Sequence, residues 1–382
     1  MGKTLRKFIF CSPVTPIYEI HKYRPYFEFP KAASRFGFEP YLIIGKSHFK
    51  NNSLVRVIET GIDSNRHIDV PKILPFLLKC VMKERPQIFV FFHMNIVLPI
   101  IVSVTKFFGW GRRTKFVLKM DWDGGSFKQL GKFMVLRNVL LAIESFFVDI
   151  IIIENTCGHK SLSSIPFINK DKIVILPNGY SEDFIQRANY ADFERQHIIL
   201  TVSRVSPEKG LDILISAFSV LSFEFPEWKL KIVGPVEDTA YHMNCISLIE
   251  KFDLQSRILF TGALYGEPLK WEYYHASIFC LPSIEESYGI VRLEAIAAGL
   301  PLVTSEAGCG QDFERFGTLV FRNGNTTELT KCLRILMTSE KIRIEISERQ
   351  QKSLVSYDKI IETLLVSLGE CYKEHNLYRN SS

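Results

Sequence analysis

Short apolar runs separated by segments of helix length constrain this chain more than any other feature. In the first half they are FIF (8–10), PYLIIG (40–45), IFVFF (88–92), FVLKM (116–120) and VDIIIIE (148–154). In the second they are HIILTVS (197–203), KLKIVG (229–234), RILFTG (257–262), SIFCLPS (277–283) and PLVTSE (301–306). Strands buried on both faces read as unbroken apolar runs, and parallel neighbours need a helix to carry the chain back across the sheet. Periodic stretches such as YFEFPKAASRFG, LDILISAFSVL, MNCISLIEKF and YGIVRLEAIAAG supply those crossovers. The rhythm is interrupted by the turn Pro177-Asn178-Gly179 and a polar stretch through Gln196. It predicts an α/β protein of two doubly wound, Rossmann-like domains: residues 1–190, residues 191–355, and a closing helix in 356–382 that returns to the first domain before a tail.

Composition removes several alternatives. With 382 residues, 47% apolar and 23% charged, the chain can fill two cores and fits neither a disordered nor a collagen-like polymer. The apolar stretch 88–110 is long enough to raise a membrane span, but His93, Asn95, Pro99 and Lys106 interrupt it, which favours a strand followed by a helix. Cysteines at 11, 80, 157, 245, 280, 309, 332 and 371 form no C-x-x-C pair. Their scatter predicts ordinary thiols in a reducing compartment rather than a disulfide scaffold or a metal site. The basic start before Ser12-Pro13 is too short in apolar residues to predict a cleaved signal.

Charge is divided unevenly. Residues 1–190 hold 27 Lys+Arg against 15 Asp+Glu, whereas residues 191–382 hold 20 against 26. A basic first half suits an anionic surface, and FFGWGRR (107–113) places aromatics beside arginines as a membrane-surface contact would. The first half lacks the basic–aromatic runs of RNA-binding modules, so no nucleic-acid partner is expected.

Two strand-end segments carry chemistry. ESYGIVRLE (286–294) follows a buried strand and opens a helix, the kind of junction at which open α/β sheets bind ligands and helix amides receive phosphate. Glu286 and Glu294 lie eight residues apart, about 12 Å along a helix. That spacing suits the two ends of a nucleotide diphosphate sugar, although a capping and a solvated glutamate would read the same. SRVSPEKG (203–210) sets Arg204 and Lys209 on another strand-end loop, where two cations can neutralise a diphosphate.

Together and in this order, SRVSPEKG, KIVG, LFTG and LPSIEESYGIVRLEAIAAGLP resemble the C-terminal domain of family-four retaining glycosyltransferases of the GT-B fold (glycosyl transferase group 1). The resemblance spans roughly residues 170–335, beginning at LPNGYSEDF. It implies two domains facing a central cleft, with Arg204 and Lys209 on the diphosphate and Glu286 on the donor sugar. Tyr288 lies in the same motif; Gly289, Ile290 and Val291 would offer backbone donors to phosphate and sugar. Glu294 would hold the ribose, and Ala263-Leu264 would meet the base. It further implies a metal-independent, front-face transfer from a UDP- or GDP-sugar to a glycan or lipid-linked acceptor, without a cofactor. Such an enzyme would be cytoplasmic, with peripheral membrane contact through the basic half.

The first half matches more weakly. FCSPVTP (10–16) lacks the family's glycine pair, and Asp121 stands after FVLKM where many members carry a histidine. Asp121 is therefore one candidate catalytic residue, and His93, at the end of IFVFF, is another; each would serve equally as a structural residue. Asp121-Trp122-Asp123 also reads as the metal-binding D-x-D of a different glycosyltransferase fold. GCG (308–310) reads as a loop lining the cleft. A nucleotide-sugar epimerase on the same fold, or a non-catalytic nucleotide-sugar or membrane binder, are the alternative functions.

Overall fold

A computed structural model describes residues 6–13, 15, 23–48, 54–62, 72–93, 97–121 and 133–370. Among them are thirteen strands in two sheets. The first sheet contains β1 (Arg6–Ser12), β2 (Phe38–Ile44), β3 (Arg56–Glu59), β4 (Ile88–Phe92), β5 (Lys115–Met120), β6 (Ile150–Ile153) and β7 (Ile173–Ile175). Their spatial order is β3-β2-β1-β4-β5-β6-β7, and every pairing is parallel. The second sheet contains β8 (Ile198–Val202), β9 (Lys229–Val233), β10 (Ile258–Gly262), β11 (Ile278–Leu281), β12 (Leu302–Ser305) and β13 (Leu319–Phe321), ordered β10-β9-β8-β11-β12-β13 and again parallel.

Each sheet is covered on both faces, which is why its central strands carry no polar alternation. Along β1, Ile9 and Cys11 enter one core while Phe8 and Phe10 enter the other. Ile199 in β8 likewise packs opposite to Ile198 and Leu200. In both sheets the strand order reverses beside the first strand, between β1 and β4 and between β8 and β11. Loops at the C-terminal ends of strands diverge there and leave a crevice. The apolar stretch 88–110 resolves into β4 and, after residues 94–96, the helix Val97–Phe107. Among the described residues no helix is long and apolar enough to cross a membrane.

The chain passes between domains twice. After β7 it runs through residues 176–197, where Gly179 packs tightly against Tyr357 and the Val355 carbonyl, 3.0 Å from where a Cβ would lie. It returns before the helix Tyr357–Ser367, whose Ile360, Ile361, Leu364 and Leu365 join Phe8, Phe10 and Phe29 in one core of the first sheet. Arg35–Asp358 and Arg6–Glu370 ion pairs flank that helix.

Candidate functional site

The loop after β8 and the loop after β11 meet at one point. Lys209 ends the short turn Pro207–Lys209, and Gly210, in the left-handed region, redirects the chain into the helix Leu211–Leu221. A side chain at 210 would lie 2.4 Å from the Pro282 carbonyl, so glycine lets the two loops touch. Glu208 O accepts from the Ile284 N–H at 2.8 Å. This contact brings Lys209 Nζ to 3.0 Å from Glu286 Oε2, both side chains largely buried. Ser283 Oγ, at 3.4 Å from Oε2, and the Ser287 N–H, at 3.2 Å from Oε1, orient the carboxylate further.

Gly289 caps the helix Ile290–Ala297 with φ +72°. A Cβ there would press on Leu281, Arg292 and Glu286. The first turn of that helix begins with half-buried Ile290 and Val291, whose N–H groups have no acceptor within the helix. Tyr288 is buried beneath it, and burial pushes its phenol well above the usual range.

Glu294, one helix turn deeper, is 3% exposed and doubly held. Its Oε2 accepts from Tyr273 Oη at 2.8 Å, and its Oε1 pairs with Arg24 Nη1 of the first domain at 3.0 Å. Arg204 does not join Lys209 and Glu286. It lies half-exposed, paired with Glu237 and with Glu208, the latter at 3.2 Å. Ala263 and Leu264 follow β10, exposed and half-buried respectively.

Arg292 was not anticipated, although a cation inside the otherwise apolar IVRLEAIAAG was a visible signal. It is fully buried, and its guanidinium donates to the Tyr288, Ala307 and Gly308 carbonyls at 3.0, 2.6 and 3.3 Å and to Thr304 Oγ1 at 3.0 Å. It thereby ties the helix to the Gly308-Cys309-Gly310 loop, which packs directly on Glu286.

The first domain offers a buried ionic group instead. Lys119, in β5, lies between Glu154, which it contacts directly, and Asp121 Oδ1 at 3.2 Å. Burial alone would raise the Asp121 pKa, but the Lys119 ammonium, a hydrogen bond from Glu154 and nearby His93 bring it down to about 2. Glu154 moves the opposite way, held well above the usual carboxylate range by burial and by the Asp121 charge. His93 sits at φ +64°, a strained conformation for a residue with a side chain, and its N–H donates to the Lys119 carbonyl at 2.8 Å. The structure thus gathers His93 and Asp121, on the ends of neighbouring strands, around Lys119 and Glu154. A charged residue within the apolar run FVLKM and another closing VDIIIIE were the available signals for the last two.

The two clusters face each other across the crevice. Asn155, which follows Glu154, donates from Nδ2 to the carbonyl of Ser287, which follows Glu286, at 3.2 Å. Cys157 and Cys309 are joined by a disulfide with Cα atoms 5.8 Å apart. This corrects the reading of every cysteine as an ordinary thiol: residues 152 positions apart meet only in the assembled fold, which spacing cannot reveal. Cys11, Cys80, Cys245, Cys280 and Cys332 are free, and Cys371 lies outside the described residues. Among the described residues no group of three or more His, Cys, Asp or Glu side chains could hold a metal ion. Trp122 and Asp123 of the D-x-D reading lie outside them, as do residues 14 and 16 of the first loop.

Comparison with known proteins agrees with this geometry. Residues 182–353 match the family model described as glycosyl transferases group 1. This segment is similar to the group 1 glycosyltransferases. An uncharacterized glycosyltransferase of Haemophilus influenzae is 31% identical over 170 residues, covering 43% of this chain and 46% of that protein. The chain spans about half the length of the first such relatives it matches. In three dimensions the likeness extends over both domains. Sucrose-phosphate synthase from Thermosynechococcus elongatus superimposes with a TM-score of 0.73 at 15% identity, over 95% of this chain and 99% of that one. Anabaena HepE in complex with UDP and glucose gives 0.69 at 15% identity, over 96% and 100%. The segment that matches the group 1 model therefore forms the second half of a GT-B fold.

Proposed function

We propose that the chain transfers a sugar, with retention of anomeric configuration, from a nucleotide diphosphate donor to a glycan or lipid-linked acceptor. The observation that carries this reading is the Lys209–Glu286 pair at the head of the helix Ile290–Ala297, inside a group 1 glycosyltransferase segment. In this reading Lys209 turns from Glu286 to the diphosphate, and the helix N–H groups of Ile290 and Val291 add further donors. Glu286 is then free to accept from sugar hydroxyls, and Glu294 from the ribose. Arg204 would have to leave Glu237 and Glu208 to share the diphosphate charge. Ala263 and Leu264 would meet the base through their backbone.

The chemical step follows from what surrounds the leaving group. As the anomeric carbon–oxygen bond to the diphosphate breaks, the acceptor oxygen bonds to the same face, and its proton passes to the departing phosphate oxygen. Lys209 and the helix amides stabilise the charge that grows on that phosphate. Asp121, held ionised at the opposite wall, is placed to orient an acceptor hydroxyl, with His93 beside it. No metal or cofactor is assigned a role. Support for a nucleotide-sugar donor comes from the fold shared with HepE, which was crystallised with UDP and glucose.

An exposed apolar strip favours an acceptor at a membrane. The helices Val97–Phe107 and Phe133–Phe147 pack together and leave Phe107, Phe108, Val135, Leu136, Val139 and Phe146 exposed. Lys106, Arg112 and Arg113 are exposed beside them, in the half of the chain with excess basic residues. Such a strip suits peripheral attachment to an anionic cytoplasmic leaflet.

Thermal unfolding with UDP, GDP and their sugars, in native protein and in Lys209→Ala, tests the donor site. A nucleotide present at 100 times its dissociation constant stabilises by about 2.7 kcal/mol. One nucleotide family should shift the native protein and not the variant, and NMR of the product should show the donor's anomeric configuration preserved. Absence of any nucleotide shift would remove the proposal. Co-sedimentation with phosphatidylserine vesicles, strong at low salt and lost at high salt, tests the membrane contact.

A further inference from the structure

The crevice is bridged by a covalent bond that the transfer chemistry does not use. Cys157 lies in the first turn of the helix Thr156–Ser163, half-buried, with Asn155 capping the turn through the Gly158 N–H at 2.6 Å. Cys309 is 3% exposed, at φ +57° in the loop that backs Glu286. The Cys157 N–H and the Thr156 hydroxyl each lie 3.2 Å from Cys309 Sγ, and the Thr156 N–H donates to Asp312 at 2.9 Å. The bridge therefore joins the element after Glu154 to the element packed on Glu286, one in each domain. Each domain has apolar cores of its own on both sheet faces.

We propose that Cys157–Cys309 is a reversible thiol–disulfide site whose reaction partners are small-molecule disulfides and dithiols, and that its oxidised form locks the two domains across the crevice. Reduction starts at Cys157, the more accessible sulfur. A reductant thiolate bonds to its Sγ, the bridge breaks, and Cys309 leaves as a thiolate facing the Cys157 N–H, while the Thr156 hydroxyl donates to Asp312. That N–H and the helix terminus stabilise the thiolate charge. The second thiolate of the reductant then attacks the mixed disulfide, so the reductant becomes a cyclic disulfide and both protein sulfurs take up protons. In the forward direction a low-molecular-weight disulfide accepts the two electrons and departs as two thiols. A disulfide made and broken in this way fits a reducing compartment, where lasting structural bridges are rare.

Once bridged, the helix Thr156–Ser163 cannot move away from the 308–310 loop. The noncovalent ties beside it, Asn155–Ser287 and Thr156–Asp312, are then held within reach of their partners. The consequence for ligand exchange rests on the nucleotide-sugar reading; the lock itself does not.

The full chain is equilibrated with oxidised glutathione or with dithiothreitol, alkylated and digested. Mass spectrometry should find the Cys157 and Cys309 peptides linked in the first sample and both thiols alkylated in the second. Hydrogen exchange over residues 154–163 and 305–312 should be slower in the linked form by about tenfold, an ordinary size for coupling between states. Cys157→Ser should behave as the reduced protein under both conditions. Release of a fluorescent UDP analogue should slow by a similar factor on linking. Persistent alkylation of both thiols after oxidation would overturn the proposal, as would a linked form whose exchange matches the reduced one. If UDP binds neither form, the donor reading fails, and the lock is decided by the peptide and exchange data alone.

Discussion

The two walls of the crevice reach a similar end by opposite means. The wall formed by the second domain assembles Lys209, Glu286 and Glu294 from strand-end loops and one short helix, with its buried cation, Arg292, bonded to neutral carbonyls. The wall formed by the first domain gathers Lys119, Asp121 and Glu154 at the C-terminal ends of adjacent strands, with Lys119 bonded to both carboxylates. In the first case the charged groups can exchange a protein partner for a ligand. In the second, Lys119 and Glu154 are buried and exchange partners only at a cost, so they act as a fixed field beside Asp121 that draws its pKa down, while burial and the Asp121 charge raise that of Glu154.

The sharpest test of the local design is Arg292→Met. Methionine fills a similar volume but leaves the Tyr288, Ala307 and Gly308 carbonyls without their donor. At about 1–3 kcal/mol for each lost partner, partly offset by no longer burying a charge, the cost is about 4 kcal/mol. Denaturant unfolding should show it, and a loss below about 1 kcal/mol would mean the loop is held by something else. Lys209→Ala follows in size and strikes activity rather than folding. Removing a cation from the developing phosphate charge costs roughly 10²–10³ in turnover. Initial rates with a saturating donor would measure it, and an unchanged rate would break the assignment of this wall to the donor.

The same contrast explains what was legible beforehand. Strand positions in the apolar runs and the SRVSPEKG and ESYGIVRLE junctions could be read because their partners lie close in sequence or recur with local periodicity. β3 escaped because RVIE is an exposed edge strand without an apolar run, and β7 and β13 because three residues carry too little pattern. The Arg24–Glu294 pair joins residues 270 positions apart, and the Cys157–Cys309 bridge residues 152 apart. Such contacts are products of domain assembly and leave no trace in spacing. Lys119 and Glu154 were visible as charges in apolar strands, but their pairing depends on β5 and β6 being neighbours.

Lys119→Met tests the fixed-field description. It removes the cation between two carboxylates, and breaking such a buried pair typically costs about 3 kcal/mol or more. Asp121→Asn should cost less, because Glu154 loses the neighbour that holds its proton and can ionise against Lys119 in its place. Equal losses in the two variants, measured by urea unfolding, would show that Glu154 does not compensate.

Glu154→Gln has the smallest effect and the most specific signature. A protonated Glu154 and a glutamine have nearly the same shape and can make the same bonds, so wherever Glu154 keeps its proton the change should cost under about 1 kcal/mol. The pH trend carries the test. Glu154 is raised in the folded protein, whereas the unfolded chain releases that proton near pH 4.3, so its stabilising contribution is complete below about pH 4 and declines as pH rises. Glutamine does not titrate, and native protein should therefore lose ground to the variant as pH rises above about 4. Asp121, lowered to about 2, contributes in the other direction, and that contribution is lost only as pH falls toward that value. A stability difference that is flat with pH would place the proton elsewhere in the group. One that grows in favour of the native protein would mean that Glu154 is the ionised partner of Lys119, and the two carboxylates would exchange roles.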